Sequence, residues 1–254
     1  MFFYSYTLID DKSNRGAISD FLVDISRQPT SIEFDTVGLR YDSQYEEESF
    51  RDNYPSRKDY VLPVGFPTLP RFWTATLANR PVAWFGTNKD EPKPGETFDS
   101  LVIMCKGLPG IRMFEAHPYF NIYRFFPSIE DTSENAMTTT QMDSIRDAVN
   151  YHGWTIGPIA PPVNFTSATW LDTLISYKHQ ALNLGWIDNQ GIVNSLDQKL
   201  DNAKSQLQKG NTTTVKNTLR ALVNEVEAQN GKHLSSEAYA LLKYNVEYLI
   251  SKLQ

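Results

Sequence analysis

The stretch Asn211-Thr-Thr-Thr-Val-Lys-Asn-Thr-Leu-Arg-Ala-Leu-Val-Asn-Glu-Val-Glu-Ala-Gln-Asn-Gly231 decides the fold of the C-terminal part of this chain. Its apolar residues recur every three or four positions, at Val215, Leu219, Leu222 and Val226, which places them on one face of a helix. Asn211 stands where an N-cap belongs, and Gly231 stands where a left-handed residue ends a helix. The stretch therefore predicts an amphipathic helix with one buried face.

The same punctuation predicts three more helices around it. They cover about 167–184, 189–209 and the residues from 235 to the C-terminus, with Gly185 and Gly210 after the first two and with Asp188 and Ser235 as N-caps. Their apolar stripes are Ile192, Leu196, Leu200, Ala203 and Leu207, then Ala238, Leu241, Leu242, Val246, Leu249 and Leu253. Because short loops make neighbouring helices antiparallel, residues 164–254 are predicted to form an antiparallel helical bundle.

The N-terminal part has the period of strands instead. Residues 2–9 and 18–25 alternate apolar and polar side chains and are expected to pair as an antiparallel hairpin. Polar residues 41–70 indicate a surface loop, and a short helix is expected near 141–151. Further strands are predicted at 72–77, 82–85, 97–105 and 111–116. Short strands separated by Gly and Pro are typical of an antiparallel β-sandwich.

Prolines mark the boundary between the two patterns. Gly157-Pro-Ile-Ala-Pro-Pro162 is expected to be a stiff connector, because successive prolines cannot continue a helix or a central strand. The sequence therefore predicts an α+β protein of two domains. The β-sandwich would occupy residues 1–156, the linker 157–163 and the bundle 164–254.

Charge and hydropathy exclude some partners. The formal net charge is −6, with 15 Lys and Arg against 22 Asp and Glu in residues 1–160 and 9 against 8 in residues 161–254. An acidic chain without a basic run lacks the cations that displace counterions from a phosphate backbone, so nucleic acid is not expected as a partner. No apolar stretch approaches the ~20 residues of a membrane span, and residues 1–9 do not have the pattern of a signal peptide.

The helical segments resemble the FIMAH domain, a small helical module near the C-terminus of large secreted bacterial proteins. The resemblance covers about residues 185–254 and is carried by Leu184–Ile187, Gly191–Leu200, Ala221–Gln229 and Ser235–Leu242, with Trp170–His179 before them. It implies an accessory module, with no catalytic residues to carry over, and an extracellular location. Pro94–Phe98 and Gly107–Arg112 are similar, more weakly, to β-sandwich segments that precede such domains. A piece of a longer chain would explain the missing signal peptide.

Familiar catalytic patterns are missing from the sequence. It has neither a G-x-S-x-G elbow nor a phosphate-binding glycine loop. Cys105, the only cysteine, lies in the apolar run 101–105 and is interpreted as a small buried hydrophobe. The four histidines are scattered and are interpreted as structural or surface residues, namely His117, His152, His179 and His233. No cofactor is expected, although ligands or carboxylate pairs far apart in sequence can still meet in space.

Two groups of residues remain as candidate binding sites. Trp73 and Trp84 lie in adjacent predicted strands, where they are core residues or an aromatic platform for a sugar ring. Glu46, Glu47, Glu48 and Asp52 form a solvated acidic loop or offer oxygen ligands to calcium.

Three functional hypotheses follow. The first is a non-catalytic accessory, structural or binding region of a secreted bacterial protein, with other domains of that protein as its partners. The second is a carbohydrate-binding module with a polysaccharide as its partner. The third is a hydrolase whose site is assembled from distant residues.

Overall fold

The computed structural model describes residues 2–13, 17–24, 62–63, 74–77, 81–85, 93–105, 107–118, 138, 140, 141, 144, 145, 148 and 150–254, the last range without 160, 161 and 163. The chain divides into two compact units. One comprises Met1–Lys106 and Arg112–Gly153, and the other comprises Gly107–Ile111 and Trp154–Gln254. The boundaries predicted from the prolines stay a prediction.

The strands form two sheets. Their bounds are β1 Phe2–Ile9, β2 Ile18–Asp24, β3 Leu62–Pro63, β4 Thr74–Leu77, β5 Pro81–Phe85, β6 Thr97–Cys105, β7 Leu108–Pro118 and β8 Tyr151–Ile159. One sheet has the order β1-β6-β3 and the other the order β4-β5-β2-β7-β8. β1 and β3 pair antiparallel with β6, β2 pairs antiparallel with β5 and β7, and β4 pairs antiparallel with β5. The predicted α+β layout is therefore confirmed, while the β-sandwich stays a prediction.

Alternation identified the buried face of the first two strands correctly. β1 buries Tyr4, Tyr6 and Leu8, and β2 buries Phe21 and Val23. The rings of Tyr6 and Phe21 approach to 5.8 Å between centroids. Because side chains alternate across a strand, the opposite, half-buried face of β2 carries Asp20 and Asp24 outside this apolar layer.

The predicted hairpin of the first two strands is wrong. β1 pairs with β6, with Phe2 opposite Cys105, whereas β2 lies between β5 and β7 in the other sheet. Alternation specifies which face of a strand is buried but not which strand lies beside it. The predicted surface loop 41–70 also contains a strand, because β3 pairs with β6 there.

The predicted connector begins inside a strand. β8 continues through Pro158 to Ile159. A proline is tolerated there because β8 is the edge strand of its sheet, where a missing N–H donor breaks no central ladder. Upstream, residues 140, 141, 144, 145 and 148 are helical, close to the predicted short helix, although Tyr151 opens β8 instead of ending that helix.

Four helices follow, as predicted. They are α1 Ser167–Asn183, α2 Gln190–Gln208, α3 Thr212–Gln229 and α4 Ser236–Lys252. Each helix contacts its neighbours in sequence, and α1 also contacts α4, which closes the bundle. Gly185, Gly210 and Gly231 follow the first three helices with positive φ, as the left-handed end residue requires.

Two details of the helix prediction are wrong. α2 buries Val193, whereas Ile192 and Leu207 are only half-buried, because the buried face of α2 is rotated from the predicted stripe. The N-cap of α2 is Asn189, whose side chain accepts from the amides of Gly191 and Ile192. Asp188 instead contacts His233 in the loop before α4. None of the helices within the described residues is long and apolar enough to cross a bilayer.

Candidate functional site

Two histidines and two carboxylates meet on one face of the larger sheet. Asp20 lies on β2 directly opposite His117 on β7, and Glu115 lies two residues before His117. Residues two apart on a strand project from the same face, so Glu115 and His117 are neighbours there. His152 on the adjacent strand β8 reaches the same Glu115. We call these four residues the histidine cluster.

His117 is the centre of the histidine cluster. Its Nε2 lies 3.2 Å from Glu115 Oε2, and its Nδ1 lies 3.7 Å from Asp20 Oδ2. His152 Nδ1 lies 3.8 Å from the other oxygen of Glu115. Ser19 Oγ lies 3.1 Å from Asp20 Oδ2 and 3.2 Å from the His117 carbonyl oxygen, and its single proton is available to either acceptor on the Asp20 side of the cluster.

The surroundings favour the charged form of His117. The Asp20 carboxylate, followed by the hydrogen bond with Glu115 and the charges of both carboxylates, raises the pKa of His117 above its usual 6.5, although burial opposes the shift. The His117 and Asp20 side chains keep 27% and 26% of their exposure, so water screens the pair in part. The cluster is therefore a half-buried contact between β2 and β7 that favours the protonated form of His117.

The geometry restricts the chemistry of the histidine cluster. A general base must leave one ring nitrogen free to accept a proton, but both nitrogens of His117 face carboxylates. Within the described ranges, no group of three or more His, Cys, Asp or Glu side chains could hold a metal ion. The cluster can store a proton and link strands, and it presents a polar patch to solvent.

The candidate residues predicted from sequence do not join this cluster. Trp84 lies on β5, at the register position between Phe21 of β2 and Ala75 of β4. Trp73 and the acidic residues Glu46, Glu47, Glu48 and Asp52 lie outside the described residues. Cys105 ends β6.

Sequence reasoning missed the meeting of His117 and His152. The signal that points to it is the pair Glu115-x-His117 at strand spacing, which predicts a shared face. The register that brings Asp20 opposite His117 and the strand that carries His152 were not predicted.

The helical unit contains one fully buried cation. Lys178 on α1 has no exposed surface, and its ammonium group donates to the Asp197 carboxylate of α2 and, at 3.0 Å, to His179 Nε2. A buried charge is tolerated only when it is paired and hydrogen-bonded. This contact therefore links α1 to α2 inside the bundle.

Other ion pairs link the remaining helices. Lys199 on α2 pairs with Glu225 on α3 at 2.8 Å. Lys243 on α4 pairs with Glu247 at 2.8 Å and with Glu227 of α3 at 3.2 Å, and these carboxylates, Glu247 first, raise the pKa of Lys243 well above its usual range. Lys199 and Lys243 thus pair with carboxylates of the bundle itself, and these ion pairs connect neighbouring helices.

Loops at one end of the bundle are joined to each other. Asp188 Oδ1 lies 2.8 Å from His233 Nδ1, and Ser235 donates its amide to the Trp186 carbonyl at 2.9 Å. Ile187 and Leu234 are buried beneath this contact.

At the surface, a shallow groove between α3 and α4 is lined by Arg220, Val223, Asn224, Glu247, Ile250 and Ser251.

Comparison with known families identifies the helical part. Residues 178–251, from the end of α1 almost to the end of α4, match the model of the FIMAH domain. The resemblance inferred from sequence is thus confirmed for the C-terminal helical region. A comparison with curated proteins gave no match.

Proposed function

We propose that this chain, which carries a FIMAH domain in its C-terminal helices, is a non-catalytic accessory region of a secreted bacterial protein. It would act as a spacer, a stabilising unit or a binding surface for other domains of that protein. The match of residues 178–251 to the FIMAH domain is the observation that carries this proposal.

The electrostatics of both units support it. The buried Lys178 is neutralised by Asp197, and both ring nitrogens of His117 face carboxylates. Reactive groups need a free lone pair or a proton poised for transfer, whereas these groups are held in ion pairs. Paired charges that connect neighbouring elements are suited to stabilising a module.

Turnover assays test this proposal against the hydrolase alternative. The purified full chain is incubated with ester, peptide and glycoside substrates, and released product is measured. We expect no product above the buffer control. Activity that survives repurification and disappears in Glu115→Gln would establish a hydrolase and overturn the accessory role, because Glu115 links both histidines of the cluster.

A carbohydrate-binding module is the second candidate. Trp154 on β8 keeps 53% of its surface exposed, and an exposed indole offers a flat apolar face to a sugar ring. Retention of the full chain on insoluble polysaccharides, lost in Trp154→Ala but kept in the exposed control Asn194→Ala, would favour this candidate. Equal elution of all three proteins with the buffer front would exclude it for the polysaccharides tested.

Secretion is a separate part of the proposal, and it rests on the FIMAH match. An antibody against the chain is used to compare the culture medium with the cell fraction of the source bacterium. We expect the antigen in the medium or on the cell surface. Antigen confined to the cytosolic fraction would contradict an extracellular role.

A further inference from the structure

A buried amide lies in the apolar face of α4. Asn245 has no exposed surface, although its neighbours on that face, such as Leu241, Leu242 and Leu249, are apolar. Burial of an amide without hydrogen bonds is unfavourable, because its polar atoms lose their contacts with water. The chain therefore needs specific partners for Asn245.

Both partners of the Asn245 amide nitrogen are main-chain carbonyls. Nδ2 donates to Leu241 O, one helical turn earlier, and to Pro109 O, each at 2.7 Å. The amide thus has one partner within its own helix and one 136 residues earlier in the chain. Trp170 of α1 donates its indole N–H to the Asn245 carbonyl at 3.0 Å, which holds α1 at the same residue.

The segment that presents Pro109 belongs to the helical unit. Gly107–Ile111 groups with Trp154–Gln254, and Leu108, Pro109 and Gly110 are buried. A Cβ at Gly110 would lie 2.3 Å from Ile159 Cγ2, so the segment is in close contact with the end of β8. It is an extended backbone that contacts Ile159 and accepts a hydrogen bond from α4.

We propose that Asn245 is a recognition residue through which the helical bundle binds an extended main-chain segment, and that Gly107–Ile111 is its occupant in this chain. The chemistry recognised is a buried main-chain carbonyl in an apolar segment, to which the amide donates. A proline suits this position because its carbonyl remains an acceptor while the residue has no N–H to satisfy. This docking is independent of any ligand or activity of the whole protein.

Hydrogen–deuterium exchange of the full chain tests the proposal. Asn245→Asp keeps the shape of the side chain but removes both donors and turns a carboxylate toward two carbonyl oxygens. We expect the Gly107–Ile111 amides to exchange about tenfold faster, as the loss of one such bond implies, while α2 and α3 keep wild-type protection. The matched control is Asn194→Asp, an exposed position whose Oδ1 acceptor role the carboxylate retains.

A folded Asn245→Asp variant with wild-type protection at Gly107–Ile111 would overturn the proposal. If the substitution loosens the whole bundle, the wild-type protein decides the question by nuclear magnetic resonance. We then expect the side-chain amide protons of Asn245 to exchange at least about tenfold more slowly than those of exposed Asn194, because they are buried and bonded. Equal exchange rates for the two side chains would show that Asn245 does not hold the segment.

Discussion

Removal of the Asp197 carboxylate should destabilise the helical bundle, because it would leave the Lys178 ammonium buried without its counter-charge. Lys178 has no exposed surface, whereas the Asp197 side chain keeps 36% of its exposure. Breaking a buried pair by removing one partner costs ~3–5 kcal/mol. Since water reaches Asp197, we expect Asp197→Ala to cost about 3 kcal/mol, at the lower end of that range.

The complementary change separates charge from packing. Lys178→Met removes the ammonium but keeps a flexible apolar chain in the same space, and it leaves Asp197 able to face solvent. We expect this variant to lie within ~1 kcal/mol of wild type, because apolar replacement of a buried charge is often neutral. Asp201→Ala on the exposed face of the same helix should change stability by no more than ~0.5 kcal/mol.

Urea unfolding of the three variants, followed by the helical signal in circular dichroism, measures these differences. A domain with ~5–15 kcal/mol of total stability shows a loss of about 3 kcal/mol plainly. If Asp197→Ala unfolds at the same urea concentration as Asp201→Ala, the contact of Lys178 with Asp197 contributes little to the stability of the bundle. If Lys178→Met is as unstable as Asp197→Ala, packing rather than unpaired charge is the cause.

Three further predictions concern the histidine cluster, metal ions and a helix cap. The pKa of His117 in the folded protein is raised above 6.5, so the stability that protonated His117 contributes should be complete below pH 6.5 and lost as the pH rises through that folded pKa. The midpoint of urea unfolding should therefore fall as the pH rises in the wild-type protein, and it should change less with pH in His117→Gln. Chelators should leave the melting temperature unchanged in a calorimetric scan, and a drop of several degrees with EDTA would instead indicate a metal site, with the acidic residues around Glu46 as first candidates. Asn189→Ala should cost ~0.5–2 kcal/mol in a urea melt, because the Asn189 side chain caps α2 through two amides, whereas Asp188→Ala should leave this cap intact.

The helices could be predicted well because their signals are local. Stripes, caps and terminal glycines are all set within a few residues, and Gly185, Gly210 and Gly231 take the conformation that their positions predicted. The errors at Asp188 and Ile192 are shifts of one residue, which sequence spacing alone does not resolve.

The sheets and the histidine cluster could be predicted only in part. Alternation found β1 and β2, but strand pairing depends on contacts far apart in sequence, so β1 pairs with β6 instead. β8 was missed because Gly153, Gly157 and Pro158 weaken its strand signal. His152 therefore had no predicted place beside Glu115.

The accessory role that we propose requires the helical part to fold by itself, and the most direct measurement is a urea melt of residues 163–254 expressed alone. We expect a helical, cooperative transition, weaker than in the full chain because Asn245 loses its Pro109 partner. In this fragment Leu222→Ala should cost ~2–5 kcal/mol through a buried cavity, and exposed Asn217→Ala no more than ~0.5 kcal/mol. A fragment without helix by circular dichroism, or equal effects of the two substitutions, would contradict a self-sufficient module with this buried face.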